Sequence, residues 1–239
     1  MTPLALAALI FGCNPSETET TEPPAPTEVA RPTPAPAEPA RPTVDEVDWD
    51  AALQKPKLAN VKAPDAFRVK FETTKGDFVV EANRAWAPNG TDRFYNLVLA
   101  KYFTDVAFFR TIPKFMGQFG LHGDPSVNRA WRAANIKDEP VVESNTRGMV
   151  TFAMSGQPNS RTTQLFINFT DNSWLDQKGF APFGKVVEGM DVVDSLHMTG
   201  EGAPAGKGPV QAQIQFRGNE YLKKDFPEID YIKSATVLE

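Results

Sequence analysis

The guanidinium of Arg110 is set among aromatic, thioether and amide side chains in the run Phe108-Phe-Arg-Thr-Ile-Pro-Lys-Phe-Met-Gly-Gln-Phe-Gly-Leu-His-Gly-Asp-Pro125. Three further blocks share that character: Phe152-Ala-Met-Ser-Gly-Gln-Pro-Asn-Ser-Arg-Thr-Thr-Gln-Leu-Phe-Ile167, Trp174-Leu-Asp176 and Phe183-Gly-Lys-Val-Val-Glu-Gly-Met190. These residue types offer hydrogen-bond donors, acceptors and apolar surface, but no strong nucleophile. The 239-residue chain has one cysteine, Cys13, and two histidines, His122 and His197, which excludes a disulfide framework, a Cys-x-x-Cys pair and a multi-histidine metal centre. Neither a Gly-x-Ser-x-Gly elbow nor a phosphate-binding glycine loop occurs, so hydrolase, kinase and dehydrogenase chemistry are disfavoured. With 25 basic and 30 acidic residues the net charge is −5, and nucleic acid is not an expected partner.

Taken singly, these residues have plainer readings. Phe115, Met116 and Phe166 suit a core, Trp174 suits core packing, and Arg110 suits a charged strand edge. His122 has no companion ligand and reads as a loop residue bonded locally. Asp105, Asp124, Asp138 and Glu139 read as scattered, solvated loop carboxylates.

The elements that must carry the blocks follow from hydrophobic period. Phe67 to Thr73 alternates strictly, Lys75-Gly76 supplies a turn, and Asp77 to Glu81 resumes, which predicts a hairpin. Phe94, Leu97, Val98, Lys101 and Tyr102 fall at helical spacing, with Thr91 or Asp92 as the expected cap. Val106 to Ile112, Gly148 to Ala153, Gln164 to Phe169 and Phe183 to Val187 are β-prone runs separated by Pro, Gly and Asn, as in a barrel or sandwich. Met190, Val193 and Leu196 predict a second short helix. Gln211 to Phe216 alternates like a strand, Glu220 to Phe226 suits a helical turn, and Tyr231 to Leu238 predicts a closing strand.

Ahead of this unit the composition shifts twice. The apolar run Leu4 to Phe11 is far shorter than the roughly twenty residues that span a bilayer. It ends at Ile10-Phe11-Gly12-Cys13, and residues 1–13 resemble a bacterial lipoprotein signal peptide with Cys13 as the lipidated residue. Residues 14–66 read as a Pro-rich disordered tether, with Val44 to Pro64 a loosely packed lead-in. The folded domain is placed at 67–239, about 170 residues and enough for one core.

The four blocks, in this order and at this spacing, resemble the cyclophilins, a family of peptidyl-prolyl cis/trans isomerases. The similarity runs from about Phe67 to Leu196 and returns at the final strand. An extra segment near 201–229 has no counterpart in a minimal cyclophilin. The resemblance implies a mainly β fold, an eight-stranded antiparallel barrel with two capping helices. It also implies catalytic roles for Arg110 and Gln118, and a substrate groove formed by Phe115, Met116, Ala153, Gln164, Phe166, Trp174 and Leu175. Met154 stands where the family has a groove asparagine. Phe109 stands in place of the histidine common before the arginine, and the loop Gly179-Phe180-Ala181-Pro182 lacks the family's pocket-flanking histidine.

The implied reaction explains why no nucleophile, metal or cofactor is needed. Rotation about an X-Pro bond meets a barrier of roughly 18–20 kcal/mol because it breaks amide resonance, and no covalent bond forms. A fixed donor aimed at the prolyl nitrogen binds the twisted state more tightly than either ground state. The expected partners are proline-containing polypeptides of the cell envelope, with cyclosporin binding implied at Trp174. The protein is expected as a monomer, exported and held at the periplasmic side of the membrane by lipid on Cys13. A second reading keeps the groove without catalysis, as a proline-peptide-binding chaperone or scaffold.

Overall fold

The computed structural model describes residues 40–238; the expected signal peptide, Cys13 and residues 14–39 of the tether lie outside them. Strand β1 (Ala66–Thr73) turns Phe67, Val69, Phe71 and Thr73 inward, as strict alternation requires. It pairs antiparallel with β2 (Asp77–Asn83) in the register Val69 with Val80 and Phe71 with Phe78, whose rings stack at 4.9 Å. The turn between them needs Gly76, whose φ of +130° is open to glycine and strained for other residues.

The remaining strands are β3 (Val106–Ala107), β4 (Arg110–Ile112), β5 (Met116–Phe119), β6 (Met149–Phe152), β7 (Leu165–Asn168), β8 (Pro182–Glu188) and β9 (Tyr231–Leu238). All pair antiparallel in one sheet of order β3-β9-β1-β2-β8-β6-β7-β5-β4. The two edge strands, β3 and β4, are separated in sequence only by Phe108 and Phe109. One short run therefore serves both edges, and the sheet must curl until they approach. Counted as one interrupted strand, Val106 to Ile112 reduces the nine strands to the eight expected. Phe71, Phe78, Phe94, Phe103, Phe119 and Phe183 fill the interior, each at most 1% exposed.

Helices α1 (Trp49–Gln54), α2 (Pro88–Leu99), α3 (Pro125–Trp131), α4 (Met190–Asp194) and α5 (Gln211–Asp225) outnumber the two expected. The expected pair are α2 and α4. In α2 the expected cap is displaced: the helix starts at Pro88, and Thr91 and Asp92 are buried inside it. Proline at the first helical position is preset in φ and lacks the N–H that would go unpaired. The backbone N–H groups of Asn89 and Gly90 are capped from a distance by the Glu139 carboxylate.

Two segments depart further from expectation. Val44 to Pro64 is no loose lead-in: Ala52, Ala59, Val61 and Ala63 are buried in the core. Asn96 of α2 accepts from Val61 N at 2.8 Å and donates to Val61 O at 2.7 Å, while Trp131 Nε1 donates to Leu53 O at 2.8 Å. The folded unit thus begins at Ala40. Such small side chains leave a weak hydrophobic signature, and polar side chains of neighbouring helices satisfy the backbone. Gln211 to Phe216 is helical, not a strand: α5 is two helical stretches joined by a kink at Gly218, whose φ is +56°, and the kink lets Ile214 of the first and Tyr221 and Leu222 of the second turn to one buried face. That face builds a second apolar cluster with Phe109, Leu121 and Ile229. Among the described residues no helix is long and apolar enough to cross a membrane.

Candidate active site

Register assembles the site. Arg110 on β4 lies opposite Gln118 on β5, and Gln118 lies opposite Phe166 on β7. Cross-strand partners project to the same face, so the three side chains form a row. Met116 and Gln164, each two residues from a member of that row, share its face by the strand period of two. From this row rises a groove of about 410 Å³ lined by Arg110, Phe115, Met116, Gln118, Ala153, Gln164, Phe166 and Leu175. Trp174, expected in the groove, does not line it: the side chain is 50% exposed and stacks at 5.7 Å on the outer side of Phe115, which does. Lys178 Nζ covers Trp174 at 4.5 Å from the ring centroid.

The groove has a polar and an apolar half. Met116, Phe166 and Leu175 are buried in one cluster with Phe115, Ala153 and Phe180 against them, a cup of suitable shape for a small ring. Along the other side runs a chain of side-chain bonds: Arg110 Nη1 donates to Gln118 Oε1 at 3.0 Å, and Gln118 Nε2 donates to Gln164 Oε1 at 2.9 Å. The Arg110 guanidinium also lies 5.8 Å from the Phe115 ring centroid. Asn172 Nδ2 donates to Phe115 O at 2.9 Å and so fixes the start of β5 beneath the cup.

The loop that carries Trp174 and Leu175 is tied down by Asp176. Its carboxylate accepts from Ser144 Oγ at 2.5 Å, Asn145 N at 2.9 Å and Asn145 Nδ2 at 2.7 Å. Burial acts to raise the Asp176 pKa, but these bonds outweigh it and hold the group below its ordinary value.

The structure also explains two departures from the family pattern. Phe109 is 1% exposed and packs in the cluster built by α5, where a histidine would bury a polar ring. Phe180 occupies the altered loop and meets Phe166 edge-on at 5.8 Å, walling the cup with carbon. Sequence reasoning missed Phe180, Ser155, Ser160, Thr162 and Gln211, all of which line the groove. It missed Glu201 as well, whose two carboxylate oxygens meet Arg110 Nε and Nη2 at 2.8 and 2.7 Å. That bond keeps the Glu201 carboxyl below the ordinary glutamate range. Of the carboxylates read as solvated, Glu139 is buried with Arg161, Asp124 caps α3, and Asp105 accepts from Asn219 and Lys223. His122 does bond locally, its Nδ1 accepting from Asp124 N at 2.9 Å.

Residues 68–215 match the family model described as cyclophilin type peptidyl-prolyl cis-trans isomerase. The chain belongs to the cyclophilin family. A peptidyl-prolyl cis-trans isomerase of Acinetobacter baylyi is 36% identical to this cyclophilin over 133 residues, which cover 54% of this chain and 70% of that protein. The isomerase cyp18 of Streptomyces antibioticus is 32% identical over 155 residues, 61% of this chain and 92% of the other. Among solved structures, a cyclophilin of Cryptosporidium parvum shares the fold at a TM-score of 0.54 and 22% identity, over 73% of this chain and 98% of that one.

Proposed function

We propose that this cyclophilin accelerates rotation about X-Pro bonds in its groove, with Arg110 as the electrostatic catalyst. The observation that carries the assignment is the Arg110 guanidinium, fixed at the edge of the apolar cup with Nη1 bonded to Gln118 and 3.9 Å from Met116 Sδ. Phe115, Met116, Phe166 and Leu175 receive the pyrrolidine ring, which gives proline selectivity by shape. Gln118 and Gln164 orient the guanidinium and bond the peptide backbone, beside the groove wall at Ala153. As the amide twists, the prolyl nitrogen regains its lone pair and accepts from Arg110, a bond the planar states cannot make. Each 1.36 kcal/mol of such selective binding gives about tenfold in rate.

Exchange NMR on an Ala-Pro peptide tests this directly. Arg110→Ala lowers the exchange rate by more than about tenfold while the far-UV and near-UV circular dichroism stay native. Undiminished exchange would sink the role of Arg110, and line broadening without acceleration would favour the chaperone or scaffold reading.

Location and ligands extend the proposal. The apolar run before Cys13 and the Pro-rich stretch after it support an exported protein, anchored by lipid at Cys13 on the periplasmic side and acting on envelope clients. Labelling with radioactive palmitate that disappears in Cys13→Ala would bear this out. The exposed rim position of Trp174 supports cyclosporin binding, read by quenching of Trp fluorescence.

A further inference from the structure

Arg110 has five N–H donors, and the bond to Gln118 uses only one of them. The only other contact on that side is the long one from the same Nη1 to Met116 Sδ at 3.9 Å, so bonds at Nη1 alone leave the guanidinium able to pivot about it. The opposite edge, Nε and Nη2, is closed by Glu201, which receives one bond on each carboxylate oxygen. Two parallel bonds fix the plane as well as the position of a guanidinium.

Glu201 lies between α4 and α5, in a loop stitched to the strand that carries Arg110. Thr111 N donates to Thr199 Oγ1 at 3.0 Å, Thr199 N donates to Thr111 Oγ1 at 2.7 Å, and Gly200 N donates to Thr111 O at 2.9 Å. Within the loop, Gly208 N donates to Glu201 O at 2.8 Å. The backbone and hydroxyl of Thr111, the residue beside Arg110, therefore set where the Glu201 carboxylate stands. The pair is partly shielded, with the Arg110 and Glu201 side chains 23% and 39% exposed.

We propose that Glu201 is a positioning residue for isomerisation, holding the Nε and Nη2 edge of Arg110 so that Nη1 is presented to the cup. The inference rests on Arg110 being the electrostatic catalyst. A carboxylate offsets part of the positive charge, yet the reacting amide carries no net charge in either isomer. What the twisted amide needs is a donor at one atom in one direction, so a fixed direction outweighs the charge given up. An unpinned arginine has many rotamers, and each turnover would have to order it anew.

The test is full-chain kinetics on an Ala-Pro peptide with wild type, Glu201→Ala, Glu201→Gln and Arg110→Ala side by side. Glu201→Ala is expected to lower kcat about three- to tenfold with KM within about twofold, since the cup is untouched. Glu201→Gln restores most of the loss, because its amide oxygen still accepts from the guanidinium. The ¹⁵N-resolved Arg110 Nε–H resonance is expected to be sharp in wild type and lost to exchange in Glu201→Ala. A kcat at or above wild type in Glu201→Ala, with the Nε–H signal gone, would overturn positioning and make the carboxylate a brake. Glu201→Gln as slow as Glu201→Ala would overturn it also. If Glu201→Ala is unchanged while Arg110→Ala collapses, only the role of Glu201 fails; if Arg110→Ala is itself unchanged, both assignments fall.

Discussion

Arg161 Nη1 donates to Glu139 Oε2 at 3.0 Å in an ion pair whose side chains are 2% and 3% exposed. The same carboxylate accepts the N–H groups of Asn89 and Gly90 at the start of α2, and Arg161 Nη2 donates to Lys137 O. One buried charge pair thus joins α2 to the segment that leads into β7. Removing Glu139 leaves Arg161 only the longer ion-pair contact of its Nε with Asp138 Oδ1 at 3.6 Å, and breaking such a buried pair costs about 3–5 kcal/mol. Glu139→Ala is expected to lose that much in urea unfolding; a loss under about 1 kcal/mol would show that water reaches Arg161.

Acid should act through Asp176. Its folded pKa lies below the ordinary value of 3.8, so the unfolded chain takes up the proton first as pH falls. The stabilisation is complete above the unfolded value and is lost as pH drops through the folded one. Asp176→Asn keeps the shape and weakens three bonds, and should cost about 1–3 kcal/mol at pH 7. Urea midpoints of variant and wild type should converge toward pH 3, and an equal gap at both pH values would mean that the charge is irrelevant.

The segment before β1 should matter for stability. A chain starting at residue 67 loses the buried side chains of Ala52, Ala59, Val61 and Ala63, takes both Val61 bonds from Asn96, whose Oδ1 is left unpaired, and leaves Trp131 Nε1 without Leu53 O. Each buried polar group left unpaired costs about 1–3 kcal/mol. Thermal unfolding of chains starting at 40 and at 67 should differ by more than about 10 °C for a loss of several kcal/mol in a domain of this size. Equal midpoints would return the segment to the status of a tether.

How far the sequence alone revealed this arrangement differs by element. The hairpin of β1 and β2 was legible because Phe67, Val69 and Phe71 alternate without interruption against polar neighbours. The groove was legible because Arg110, Phe115, Met116, Gln118, Gln164 and Phe166 sit in blocks whose order and spacing resemble a family, while their spacing alone left them as plausible core. The helix α5 was not, since Gln211, Gln213 and Gln215 alternate with apolar residues, and the kink at Gly218 interrupts the helical period that would otherwise link Ile214 to Tyr221 and Leu222. Glu201 could not be found by spacing either. It meets Arg110 across 91 residues, through a loop whose placement depends on Thr111 and Thr199 exchanging bonds. Phe109 is the instructive case: it reads as a lost histidine until α5 is seen to cover it.

Met154 offers a test of how the groove tolerates its own departures. It lines the groove beside Ala153, with Ser155, Ser160 and Thr162 close along the same wall, where the family resemblance places an asparagine. A thioether fills space there but neither donates nor strongly accepts, so a bound peptide backbone forfeits a polar partner at that point. Met154→Asn should supply one, worth about 0.5–1.5 kcal/mol net. Because the contact is made equally in the planar and twisted states, the gain should appear as a KM lowered about two- to tenfold with kcat little changed. Saturation kinetics on an Ala-Pro peptide would decide it. An unchanged KM would mean that Ser155, Ser160 or Thr162 already bonds the peptide and that the methionine adds only shape.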